Sequence, residues 1–396
     1  MSEMGEIEYT PTALAFPIEA GLVQACREAL GATLRAVVLT GSLARNEGSY
    51  ILKEGQTILL SDVEAIVVLH DDAPLPSRES TKLLCDAAEQ MLAARGVRVD
   101  VSLSLVHAAY LRQLPPHIYS FELRACGVVL FGDPAILEQI PNFAAPDLSA
   151  EDAWRMLSNR LIEQMEITAT TKDSNSDALR YRSIKLCLDL ASSLLVLSGR
   201  FEAGYRARLH CMEEFAVTPS AKQLPIFMEE FLPLVRMCTA AKLQPETVVD
   251  LGPDFAERVT GWAWQIWLWE LRQMNGDETH TTARAMIRGF GRKQGAARLL
   301  RGWLYAARRS GWLSSARYWP RWLSQLALGL TPRHAIYLAA YGWHEARKGN
   351  ACDSINALAS VHRLLPVDGG AQVVTGTEVA AQVVWNYKQF AMETRS

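Results

Sequence analysis

Three acidic residues stand where metal-assisted chemistry would need them: Asp62 and Glu64 in "LLSDVEAIVVL", and Asp100 in "VRVDVSLSLV". Along a strand, positions i and i+2 share a face, so Asp62 and Glu64 project side by side. Neighbouring carboxylates repel each other unless a cation lies between them. A solvated strand start is the competing reading, but "AIVVL" has the near-continuous apolar character of a buried strand, which makes paired acids at its beginning notable. Asp100 belongs to the next strand-like run, and adjacent strands bring it beside the pair. Three such carboxylates make an oxygen-rich site suited to Mg²⁺, which keeps water and accepts phosphate oxygens as ligands. Two ions in such a site stabilise attacking and leaving oxygens together.

A second element precedes them. "VVLTGSLARNEGSY" ends a β-branched run in Gly41-Ser42. Glycine lets a ligand approach the backbone closely, and free N–H groups at a helix start attract phosphate. Ser42 adds a hydroxyl and Arg45 a positive charge; a simple turn is the alternative reading of the same residues.

The elements that must position these groups follow from patterning. "RAVVLT", "DVEAIVVL", "VRVDVSLSLV" and "GVVLFG" read as strands, and "SRESTKLLCDAAEQMLAARG" reads as a helix between the second and third. Strand, helix, strand implies a right-handed crossover within one sheet. "SYILKEGQTILL" reads as a hairpin turning at Glu54-Gly55. After the proline-containing exit "GDPAILEQIPNFAAPDLSAED" the periodicity is helical almost to the end. The expected fold class is α+β: a small mixed-sheet domain over residues 1–142, a helical acceptor domain over 143–278, and a basic Trp/Arg-rich helical region over 279–396. The polar break "NGDETHTT" marks the last boundary.

The order Gly41-Ser42, Asp62-Val63-Glu64, Asp100 resembles the signature of the DNA polymerase β-type nucleotidyltransferase superfamily. Asp-x-Glu in place of Asp-x-Asp, together with "GSLAR", is similar to the kanamycin-type and small-substrate bacterial members. "SFELRACGVVLFGD" is similar to that family's closing strand, and "RYRSIKLCLDLASSLLVLSGRFEAGYRARL" to its following helical domain. The resemblance implies that Gly41, Ser42 and Arg45 hold a triphosphate and that Asp62, Glu64 and Asp100 hold Mg²⁺, two ions or Mn²⁺ in their place. It further implies an NTP, ATP first, as co-substrate, and transfer of NMP to a hydroxyl with release of pyrophosphate. Asp100 is the first choice for general base and Glu122, read as a strand residue, the second. Lys185 is a candidate second-domain contact to the triphosphate; an i,i+4 pair with Asp189 is the bland alternative.

Composition limits the partners. The chain of 396 residues has a net charge of −3, but residues 281–350 contain 13 Lys or Arg and a single acid, Glu345. That segment points to an anion: RNA, an acidic membrane surface or a phosphorylated ligand, besides the small-molecule acceptor. "ARLLRGWLYAARRSGWLSSARYWPRWL" alternates Arg with Trp and Tyr, as a binding face or as the solvent face of a bundle. "WAWQIWLWE" spreads four tryptophans around a helix, which reads as a buried helix. No secretory signal or membrane-spanning run is seen, and seven cysteines without a C-x-x-C pair suggest reduced thiols, so the expected location is cytoplasmic.

Overall fold

The structure, a computed structural model, describes residues 12–53, 56–170, 177–245, 250–252, 254–276, 282–312, 315–348, 351–367 and 375–391. It is mixed α+β. The chain divides into two compact units: residues 1–149 with 198–211 and 239–249, and residues 150–197 with 212–238 and 250–396.

In the first unit, helix α1 (Thr12–Leu30) precedes β1 (Leu34–Thr40) and a single helical turn, α2 (Gly41–Ala44). Strands β2 (Tyr50–Lys53), β3 (Gln56–Leu59) and β4 (Val63–Leu69) follow, then α3 (Arg78–Ala93), β5 (Val97–Arg98) and β6 (Val101–His107). Helices α4 (Ala108–Arg112) and α5 (Ile118–Cys126) lead to β7 (Val128–Phe131). The main sheet has the order β6-β4-β1-β7, with β4 and β6 parallel and β1 antiparallel to both its neighbours. The crossover through α3 therefore links adjacent parallel strands, as the strand–helix–strand pattern implies.

The central strands β1 and β4 are largely buried on both faces. Val63, Ala65, Val67 and Leu69 of β4 pack with Leu22, Cys26, Leu84, Ala88 and Leu92 of α1 and α3. Ile66 and Val68 pack on the other side with Ala108, Leu111 and Leu123 of α4 and α5. Alternate residues thus feed two cores, which is why "AIVVL" shows no polar alternation. Helix α3 forms where Ser77 caps it by accepting from the Ser80 N–H, and Leu84, Ala88 and Leu92 repeat every four residues on its buried stripe.

Two details differ from the sequence reading. The hairpin strands β2 and β3 pair as expected, but they join β5 in a separate three-stranded sheet; Glu54 and Gly55 themselves lie outside the described residues. The run "VRVDVSLSLV" is not one strand. It breaks into β5 and β6, each in a different sheet, with Val99 and Asp100 as the connection.

The second unit is helical: α6 (Ala150–Thr170), α7 (Asp177–Leu197), the end of α8 (Tyr205–Ala216) and most of α9 (Met228–Leu243), then α10 (Phe255–Asn275) and α11 (Ala283–Lys293). It continues through α12 (Ala296–Ser310), α13 (Trp319–Ala327), α14 (Pro332–Ala346), α15 (Ala351–Leu364) and α16 (Gly376–Phe390). The tryptophan helix α10 is a core element: Trp262, Trp264 and Trp267 are buried, and Trp267 lies 5.4 Å from Trp154 of α6, ring centre to ring centre. The break expected at 275–282 falls largely on residues 277–281, outside the described residues. No described helix is long and apolar enough to cross a membrane.

Candidate active site

Asp62 sits one residue ahead of β4, Glu64 is its second residue, and Asp100 stands one residue ahead of β6. The two strands run parallel with Val63 beside Val101 and Glu64 beside Ser102. The Val63 N–H donates to the Asp100 carbonyl at 2.9 Å, which carries the ladder back to Asp100 although that residue is outside the strand. Side-by-side residues in a parallel ladder share a face. Val63 and Val101 both enter the core under α1 and α3, so Asp62, Glu64 and Asp100 belong to the opposite face, where all three are exposed.

Gly41 meets this acidic edge from β1. Thr40 pairs with Glu64 across the sheet, and Gly41 follows with φ +71°, a left-handed conformation that costs glycine little. A Cβ on Gly41 would fall 2.3 Å from Glu64 Oε2, so any other residue would displace that carboxylate. Ser42 is half-buried in the next position. Helix α2 is a single turn, so Gly41-Ser42 offers nearby backbone N–H groups without the macrodipole of a full helix.

Arg45, expected to contact phosphate, is held between two carboxylates. Its side chain is 8% exposed and pairs with Glu47 (3.4 Å) and with Glu122 (3.0 Å). Its guanidinium also lies 5.6 Å from the centre of the Tyr205 ring. Glu122 is not on a strand: "SFELRAC" is the helix α5, because the closing strand begins only at Val128. Its carboxylate also pairs with Arg208. Glu47, the acid nearest to Gly41-Ser42 in sequence, accepts from the Tyr205 N–H (2.8 Å) and the Arg206 N–H (3.2 Å), and so caps the start of α8. Burial, and then the charge of Arg45, push Arg208 down to about 9, while Glu47 pulls the other way.

A buried lysine completes this network. Lys242 is 2% exposed, and its Nζ donates to Ser49 Oγ (2.7 Å) and Ser61 Oγ (3.0 Å), at the two ends of the inserted hairpin. Ser61 directly precedes Asp62. Arg45, Arg208 and Lys242 thus gather with Glu47 and Glu122 around the Gly41–Gly48 loop. Sequence reasoning missed Lys242, Arg208 and Tyr205. The available signal was a lysine in the apolar run "FLPLVRMCTAAKL", where burial demands a partner.

Lys185 belongs to the other unit, on α7, with its Nζ 4.9 Å from the centre of the Tyr181 ring. Asp189, its bland partner by spacing, accepts from Arg160 Nε at 2.6 Å.

Among the described residues, no three His, Cys, Asp or Glu side chains converge into a ready-made metal cage. Mg²⁺ does not require one, since it binds through one or two carboxylates together with substrate phosphates and water. Hard oxygen donors on one exposed sheet edge, with Glu64 packed on a glycine beside Ser42, fit that mode.

No protein-family model and no curated protein matches the chain. Among solved structures it is similar to the crystal structure of spectinomycin adenyltransferase AAD(9) from Enterococcus faecialis with ATP and spectinomycin. The match has 12% identity, covers 63% of this chain and 98% of that one, and has a TM-score of 0.38. A likeness at that level decides nothing about activity.

Proposed function

We propose that the first unit is a Mg²⁺-dependent nucleotidyltransferase that moves the NMP of an NTP, ATP first, to a hydroxyl of a small molecule and releases pyrophosphate. The observation that carries this reading is the packing of the Glu64 carboxylate on Gly41, with Asp62 and Asp100 on the same sheet face. It sets a carboxylate edge against a Gly-Ser turn, which is what a metal-bound triphosphate requires.

Each residue then has a role. Gly41 admits the phosphates close to the backbone, and Ser42 donates its hydroxyl to a phosphate oxygen. Asp62 and Glu64 would hold divalent metal, which supplies charge neutralisation at the phosphates when bound. Asp100, exposed and in no ion pair among the described residues, takes the proton of the acceptor hydroxyl. The acceptor oxygen forms a bond to the α-phosphorus, the α–β bridging P–O bond breaks, and pyrophosphate leaves with that electron pair. Glu122 is a poor alternative base because Arg45 and Arg208 occupy its carboxylate. The network of Arg45, Arg208 and Lys242 with Glu47, Glu122 and the two serines holds the Gly41–Gly48 turn in place.

The test is incubation with each α-labelled NTP and Mg²⁺ or Mn²⁺, against a metabolite extract and separately against total RNA. Label is expected in the small-molecule pool, reduced at least a hundredfold by Asp62→Asn and by Asp100→Asn. Undiminished transfer by Asp62→Asn would refute the carboxylate assignment, and label in RNA would refute the small acceptor. Failure of the wild type to bind Mg-NTP in calorimetry would instead mark a non-catalytic scaffold.

A further inference from the structure

The basic segment 281–350 is not used by that chemistry, and it builds a cavity of its own within the helical unit. The cavity is about 730 Å³, a size that accepts a small organic ligand. Arg298, Arg301, Tyr305 and Arg308 line it from one face of α12, at helical spacings of three, four and three. Arg333 of α14 and Trp312, just beyond α12, close other sides.

Charge in this cavity is one-sided. Four guanidiniums line it, and the carboxylate among them, Glu151, is already held by Arg298 through two bonds of 3.0 and 2.6 Å. Arg333 Nη2 donates to the Ala391 carbonyl at 3.1 Å, while Arg301 and Arg308 are exposed and in no ion pair among the described residues. His334 adds no charge: burial, and then Arg333 and Arg298, push its imidazole down to about 3. The walls also expose apolar planes. Trp312 is 51% exposed and Leu304 44%, whereas Trp262, Trp264 and Trp267 of α10 are buried. Gln294 lines the cavity with its Nε2 buried and without a hydrogen-bond partner.

We propose that this cavity binds a small organic phosphate with a planar aromatic body, at a site separate from the acidic edge of the first unit. The guanidinium forks of Arg301 and Arg308 would hold the phosphate, since a dianion answers the excess of positive charge better than a monoanion. The aromatic body would stack on Trp312 and Tyr305. A single-stranded nucleic acid needs an extended cationic groove with successive stacking positions. Here the cations converge on one concavity, closed at another side by Phe390.

The probes are 1-naphthyl phosphate, 1-naphthol and inorganic phosphate, titrated by calorimetry into the full chain. Naphthyl phosphate is expected to bind at least tenfold more tightly than naphthol or inorganic phosphate. Arg301→Glu with Arg308→Glu is expected to weaken it at least tenfold, Trp312→Ala severalfold, and Asp62→Asn not at all. Because Arg301 and Arg308 are exposed, the double variant should keep its circular dichroism. If it does not, Arg301→Gln with Arg308→Gln must show a loss in the same direction. Unchanged affinity in the arginine variants, equal binding of naphthol, or loss of binding in Asp62→Asn would each overturn the assignment. So would single-stranded RNA that displaces naphthyl phosphate and loses its own affinity in the same variants, which would mark a nucleic-acid surface.

Discussion

Glu47 is the residue whose removal tests how the Gly-Ser loop is held. Its carboxylate is 5% exposed and accepts from two backbone N–H groups at the start of α8 and from Arg45. Gly204, with φ +96°, brings the chain in just before that helix, with room for a Cβ only 3.2 Å from Glu47 Oε1. Glu47→Ala removes a helix cap, worth about 1 kcal/mol. It also takes one carboxylate from the Arg45, Arg208 and Glu122 group, and breaking a buried ion pair from one side costs about 3–5 kcal/mol. The two losses share the same atoms, so they do not add in full, and the expected destabilisation is about 4 kcal/mol. Glu47→Gln keeps an acceptor for the amides but not the charge, and should lose about half as much. All eleven tryptophans of the chain fall in the helical unit, so their fluorescence does not report on this site. Hydrogen exchange of β1 and β4 amides does. A loss of about 4 kcal/mol accelerates exchange through global opening of that unit about a thousandfold. Acceleration below tenfold in Glu47→Ala, or equal effects of Ala and Gln, would refute the reasoning that Glu47 serves as a buried anionic clamp.

Other outcomes follow from the same structure. Glu270 is fully buried, and burial pushes it up to about 8 against the hydrogen bond from Ser193. The native state keeps this proton while the unfolded chain releases it near the ordinary glutamate value. Stability therefore falls as pH rises from about 4.5 to about 8, by about 1.4 kcal/mol per unit, and levels off above. Glu270→Gln should remove that slope: in urea melts followed by tryptophan emission, its advantage over the wild type should grow by about 4 kcal/mol between pH 5 and 8. Gly41→Ala should abolish nucleotidyl transfer while leaving the circular dichroism intact, because the new Cβ displaces the Glu64 carboxylate. Lys242→Met should destabilise the first unit by about 2–3 kcal/mol, seen as faster exchange at β4, because Ser49 and Ser61 lose a charged donor.

What could be read from the chain alone was local. The strands, the helix α3, the hairpin strands and the shared face of Asp62 and Glu64 depend on period-two and period-3.6 patterns that neighbouring residues set by themselves. The burial of Trp262, Trp264 and Trp267 follows equally from a helix apolar on most of its sides. Asp100 was legible as a partner but not as a break, since the switch of "VRVDV" from one sheet to another depends on which strands compete for its backbone hydrogen bonds. The partners of Glu122 and Arg45 could not be read, because a charged side chain takes its role from the groups that neutralise it. Those partners, Arg208 among them, lie far along the chain. Lys242 was invisible for the same reason: segment 239–249 returns to the first unit after a long helical excursion, a closure no local pattern records. The basic segment announced an anion through composition, but only the packing of α12 against its neighbours turned scattered arginines into a cavity. Periodicity decides which face a residue shares. Long-range burial decides which charges must meet there, because an unpaired charge cannot leave water without a partner.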